Sequence, residues 1–142
     1  MSIAAPHSTP PRPRVLLPAV FALFGVFGMA AAWVLLALIF DRQCAWMASL
    51  AAIDVALLLR LGRAAPGAQR AMTTVLATLA TIVLANWGIA STQIGMAVGM
   101  GVVDSLARMG GHYAWTLANL ANQWMELAWY AVALLLAYWL GK

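Results

Sequence analysis

VLLPAVFALFGVFGMAAAWVLLALIF, residues 15–40, runs without one charged side chain. At about 1.5 Å per residue, a helix of this length crosses a hydrocarbon core of about 30 Å. The stretch therefore reads as a membrane-spanning helix. Gly25 and Gly28 give it a smooth patch on which a neighbouring helix can pack. Ala30-Ala31-Ala32 resembles a signal-peptidase site, but the apolar run continues to Phe40. That continuation favours an uncleaved anchor.

Outward from this run, the same reading extends over the rest of the chain. Before it, residues 1–14 hold Pro6, Pro10, Pro11 and Pro13 together with Arg12 and Arg14. Proline blocks helix there, so a disordered tail is expected. After it, Asp41-Arg42-Gln43 makes a very short polar turn. A second helix is expected over 44–61, with Trp46 near its start, Asp54 inside it, and Arg60 and Arg63 at its end. Arg63, Pro66-Gly67 and Arg70 mark a basic loop. Residues 71–103 are again uncharged. Wholly helical, they would reach about 50 Å, more than one span. The reading breaks them near Asn86-Trp87-Gly88, leaving a third helix over 71–90. Segment 91–111 is rich in glycine and holds Asp104 and Arg108, spaced to pair on a helix. It reads as a short interfacial or re-entrant helix in an outer loop. The last span is expected over 112–140, with Trp115 near one interface and Tyr138 and Trp139 near the other.

Composition agrees. Of the 142 residues, 65% are hydrophobic and 8% charged; soluble domains sit near 45–50% apolar. A soluble core of this size could not bury so much apolar surface. The expected fold is thus all-α: an integral membrane four-helix bundle, residues 15–142, preceded by a tail. The net charge of +4 falls at the ends of apolar runs, which marks membrane orientation and excludes nucleic acid as a partner. A single cysteine, Cys44, rules out an intrachain disulfide. The bias to Arg and Ala suits a GC-rich bacterial genome and a bacterial inner membrane. With the N-terminus inside, Arg12, Arg14, Arg60, Arg63, Arg70 and Lys142 are cytoplasmic, and only Arg42 and Arg108 are outside. That bias puts both termini in the cytoplasm.

The informative residues are polar ones in an apolar setting. Asp54 and Glu126 fall inside expected spans. An ionised carboxylate at mid-depth costs roughly 2.5–3.5 kcal/mol even on the lenient insertion scale, so it must be neutral, paired or facing water. On the last span His112, Thr116, Asn119, Gln123, Glu126 and Tyr130 recur at spacings of three and four, with Asn122 beside them. Such a set lies on one helical stripe. Asn86 and a row of threonines, Thr74, Thr78 and Thr81, answer it from the third helix. Asp54, Asn86, Thr116, Asn119, Gln123, Glu126 and Tyr130 together form an expected polar seam. Polar side chains also serve simply as glue between membrane helices, at around 0.6 kcal/mol per bond.

Cys44, Asp104, Arg108 and His112 are candidates on the outer face. None has the partners that a metal or catalytic site needs. His112 has only His7 for company, in the tail, and Met96 and Met100 have no His or Cys at tight spacing. Phosphate loops, HExxH and CxxC motifs are missing. No cofactor or metal is expected, and the balance is against an enzyme. The leading reading is a non-catalytic accessory or assembly subunit of a larger membrane complex, partnered by lipid and by other subunits or copies of itself. The alternative is a small oligomeric transporter or channel that couples protons or cations through its intramembrane carboxylates. A weaker third option is an enzyme or cofactor binder at the outer face.

Overall fold

The computed structural model describes residues 15–108, 110–121 and 123–142. The tail expected to be disordered and Asn122 lie outside the described residues.

The described residues form helices and no strand. Helix α1 (Leu16–Phe40) follows the apolar run closely. Pro18 sits in its first turn, where a missing N–H has no helical partner to lose. The helix stops at Asp41, whose left-handed backbone (φ 49°) turns its N–H back to the Ala37 carbonyl. A short turn leads to α2 (Met47–Leu61). This helix also ends on a left-handed residue, Arg63 at φ 59°. Gly62, just before it, is there for room: a Cβ would lie 2.9 Å from the Pro18 Cα.

Helix α3 (Ala68–Val98) is the longest element, at 31 residues. It continues through Asn86-Trp87-Gly88, where the sequence reading broke it, and past the expected end at residue 90. Neither residue type acts as a breaker here. Asn86 donates its amide to the Ile82 carbonyl within the same helix, at 2.9 Å. Gly88 admits Val34 of α1, whose Cγ2 would be 2.6 Å from an added Cβ. The helix stops instead at Gly99, in a left-handed conformation (φ 72°) that suits glycine.

Within the glycine-rich segment after α3, α4 (Val102–Arg108) is a helix of two turns. It is fixed to α3 by the Ser105 hydroxyl, which donates to the Ser91 carbonyl at 2.6 Å. Asp104 and Arg108 are both exposed on it, and among the described residues they form no ion pair, contrary to the expected pairing. An exposed pair gains at most about 1 kcal/mol and must offset the cost of ordering two side chains.

The last apolar stretch is two helices. Helix α5 (Gly111–Ala121) and helix α6 (Trp124–Gly141) meet at Gln123, which is extended (ψ 165°). Gln123 and Glu126 cap the start of α6 reciprocally, each side chain bonding the other's backbone N–H.

Helices α2 and α3 lie side by side, and each also contacts α1 and α6. Small residues let the backbones approach: Ala48, Ala51, Ala52 and Ala56 on α2, Ala71 and Ala85 on α3, Ala133 and Ala137 on α6 are buried. Outside, Leu16, Phe24, Leu35 and Ile39 of α1 are exposed, as are Leu50, Ile53 and Leu57 of α2. Helices α1, α3 and α6 are long and apolar enough to cross a membrane. An apolar exterior around a packed interior identifies the solvent of this surface as lipid.

One end of the assembly is basic. Arg60 donates to the Leu140 carbonyl at 2.9 Å, and Arg70 to the Gly141 carbonyl at 2.8 Å. The last carbonyls of a helix lack partners and carry partial negative charge, so two guanidinium groups are suited to close α6. Arg60, Arg63, Arg70 and Lys142 therefore gather where α2 ends, α3 begins and α6 ends.

Candidate functional site

Away from the basic end, four side chains from three helices and a turn meet inside. Trp33 of α1 is fully buried and donates its indole N–H to the Gln43 carbonyl at 2.8 Å. This contact holds the turn after α1 against α1 itself. The Gln43 side chain then reaches across to α3 and donates to the Asn86 Oδ1. Asn86 Nδ2 donates to the Ile82 carbonyl at 2.9 Å and to the Tyr130 hydroxyl of α6 at 3.1 Å. The Tyr130 hydroxyl lies 3.4 Å from Asn86 Oδ1. An amide has two protons and two lone pairs, and here all four find protein partners. The rings of Trp33 and Tyr130 add a tilted contact, with centroids 6.2 Å apart. They join α1 to α6, whose backbones do not otherwise come close.

The expected seam is thus brought together in part. Asn86 and Tyr130 meet. Gln123 and Glu126 do not join them: Glu126 Oε2 accepts the Gln123 backbone N–H at 3.0 Å. Its carboxylate is occupied at a helix start, where negative charge is favoured. Glu126 is therefore not a mid-helix group, because the chain breaks three residues before it. Thr116 and Asn119 lie on α5, exposed, and bond their own helix at the His112 and Trp115 carbonyls. His112 is exposed on the same helix.

Asp54 stands apart from this cluster. It is half-buried on α2, with Oδ2 3.3 Å from where a Cβ on Gly25 would lie. Among the described residues its carboxylate makes no hydrogen bond or ion pair. Cys44 is half-buried in the turn, packed against the apolar cluster that includes Trp33 and Met47. The threonine row is fully buried, yet each hydroxyl bonds a carbonyl four residues back: Thr74 to Arg70, Thr78 to Thr74, Thr81 to Ala77. These threonines satisfy themselves and pack as small residues.

Sequence reasoning missed Trp33 and Gln43. Gln43 read as turn polarity, and Trp33 as one more apolar residue. The signal for Trp33 was its indole N–H, which usually finds a partner when buried, although the buried Trp87 indole N–H finds none among the described residues.

The cluster holds no carboxylate, imidazole, amine or thiol, and its one ionisable group, the Tyr130 hydroxyl, is engaged with Asn86. Among the described residues no three of His, Cys, Asp or Glu come together as a metal site would require. Its chemistry is structural: directional bonds that fix which helix lies beside which. Comparison with family models, curated proteins and solved structures gives no match.

Proposed function

We propose that this chain is a non-catalytic accessory or assembly subunit of a larger complex in a bacterial inner membrane. It forms a bundle of four spans, α1, α2, α3 and α6, with both termini cytoplasmic and with α4 and α5 in the outer loop. The observation that carries this reading is the surface of α5 and the start of α6. Tyr113, Trp115, Trp124 and Met125 are each at least 70% exposed, beside exposed His112, Thr116 and Asn119. Aromatic groups with polar neighbours are what partner interfaces use. The buried Trp33–Gln43–Asn86–Tyr130 cluster, by contrast, meets its own hydrogen-bonding needs, which favours the exposed α5–α6 surface for recognition.

A photo-crosslinking residue placed at Trp124, with a second at Phe24 as a lipid-facing control, tests this in the native membrane. A discrete protein adduct at position 124 and none at 24 is expected, whether the adduct is another subunit or a second copy. Lipid adducts alone at both positions would reject the proposal.

Asp54 favours a second reading, an oligomeric transporter or channel. Its carboxylate lies inside α2 with no described partner, as a proton- or cation-coupling group would. Proteoliposomes carrying wild type and Asp54→Asn decide this: a flux in the former that is lost in the latter would make transport the function.

A further inference from the structure

At the basic end, the start of α1, the end of α2 and the start of α3 enclose a cleft of about 500 Å³. Leu17, Pro18 and Leu59 give it an apolar wall; Arg63, Arg70 and Thr73 give it a polar rim. Arg70 already serves the Gly141 and Ala64 carbonyls. Arg63 is exposed; its backbone N–H donates to the Arg60 carbonyl at 3.0 Å, and among the described residues its guanidinium makes no hydrogen bond or ion pair. None of the four acidic residues, Asp41, Asp54, Asp104 and Glu126, lines the cleft. Helix α3 starts beside it with no acid in its first turn and no side-chain cap, so its free N–H groups add to the positive potential.

We propose that this cleft binds one anionic phospholipid, its phosphate held by Arg63 and the rim of α3 and its acyl chains running along Leu17, Pro18 and the exposed Leu16 and Val20 of α1. The depth is right, since the rim lies where α1 and α3 begin and α6 ends, the level of lipid headgroups. The charge is right as well. The chain's own tail is a poor occupant, because residues 1–14 carry Arg12 and Arg14 and no acid. A zwitterionic lipid would offer its phosphate but bring an ammonium to a site with no carboxylate.

Native mass spectrometry of the full chain, delipidated in detergent and titrated with palmitoyl-oleoyl phosphatidylglycerol or phosphatidylcholine, tests the proposal. One phosphatidylglycerol should bind saturably and in preference to phosphatidylcholine. Arg63→Asn tolerates the left-handed backbone yet removes the charge, and should weaken binding about fivefold, the effect of one basic residue at a lipid surface. Arg63→Lys should restore most of it. Ala19→Trp, which fills the cleft from α1, should abolish the preference even if Arg63→Asn proves too unstable to assay. Inorganic phosphate in large excess should not compete. Competition by phosphate would mean a free-anion site and overturn the lipid assignment. Equal binding of the two lipids, or variants indistinguishable from wild type, would overturn the site itself.

Discussion

Asn86 is the residue on which three other groups depend. Replacing it with leucine leaves the Gln43 amide and the Tyr130 hydroxyl facing an apolar side chain. The expected cost is about 1–3 kcal/mol, that of stranding buried polar groups. Tyr130→Phe keeps the ring against Trp33 and removes one hydroxyl, so a loss nearer 0.6 kcal/mol is expected, about the average bond between membrane helices. Reversible unfolding in mixed micelles should rank the two in that order; a leucine variant as stable as wild type would show that the cluster does not hold the helices. Half of this cluster was legible in the sequence. Asn86 and Tyr130 stand out because an amide and a phenol in an apolar run must be satisfied somewhere. Gln43 and Trp33 do not, because one lies in a turn where polarity is unremarked, and the other is an aromatic ring among leucines. Only the folding of the turn onto α1 makes them partners.

Helices α1 and α2 were readable from charge and hydropathy because each is bounded by charged or turn residues. The last two long elements were not, and for opposite reasons. Asn86 and Gly88 resemble an end and are interior, since tertiary partners use the amide and the missing Cβ. The stripe from His112 to Tyr130 resembles one helix and is two, since a spacing of three between Gln123 and Glu126 is equally that of a capping box. The capping role yields its own expectation. Glu126→Gln keeps an acceptor for the Gln123 N–H and should leave stability nearly unchanged. Glu126→Ala should lose about 0.5–2 kcal/mol, the usual cost of a lost cap. Loss of function in the glutamine variant with stability intact would instead assign a role to the charge itself. The far end of α6 gives a second expectation. A Cβ on Gly141 would stand 2.6 Å from the Ala71 Cα, a backbone atom that cannot move aside. Gly141→Ala should therefore cost about 1–3 kcal/mol by overpacking. It should also weaken the Arg70 contact, read as faster digestion of the C-terminus by carboxypeptidase.

At the scale of the whole molecule, the clustering of Arg60, Arg63, Arg70 and Lys142 at one end predicts orientation. Fusions at Lys142 should activate a cytoplasmic reporter and leave alkaline phosphatase inactive, and an impermeant maleimide should reach Cys44 from outside in spheroplasts. The opposite pattern would remove the four-span arrangement. The unequal lengths of the helices carry a consequence for the bilayer itself. Helix α2, 15 residues, and α6, 18 residues, are about 22 and 27 Å long, whereas α3, 31 residues, is about 46 Å. In the proposed four-span arrangement, acyl chains beside α2 would meet a wall shorter than their natural height of about 30 Å, while those beside α3 could stand at full extension. That arrangement would impose a step in membrane thickness across the protein's own width. Such a step costs least where the bilayer is already thin on one flank. In bilayers of graded acyl length, the folded fraction should be highest below the length that suits a symmetric bundle. In a mixed membrane, the mismatch alone would carry the chain toward thin or bent regions before any partner was met.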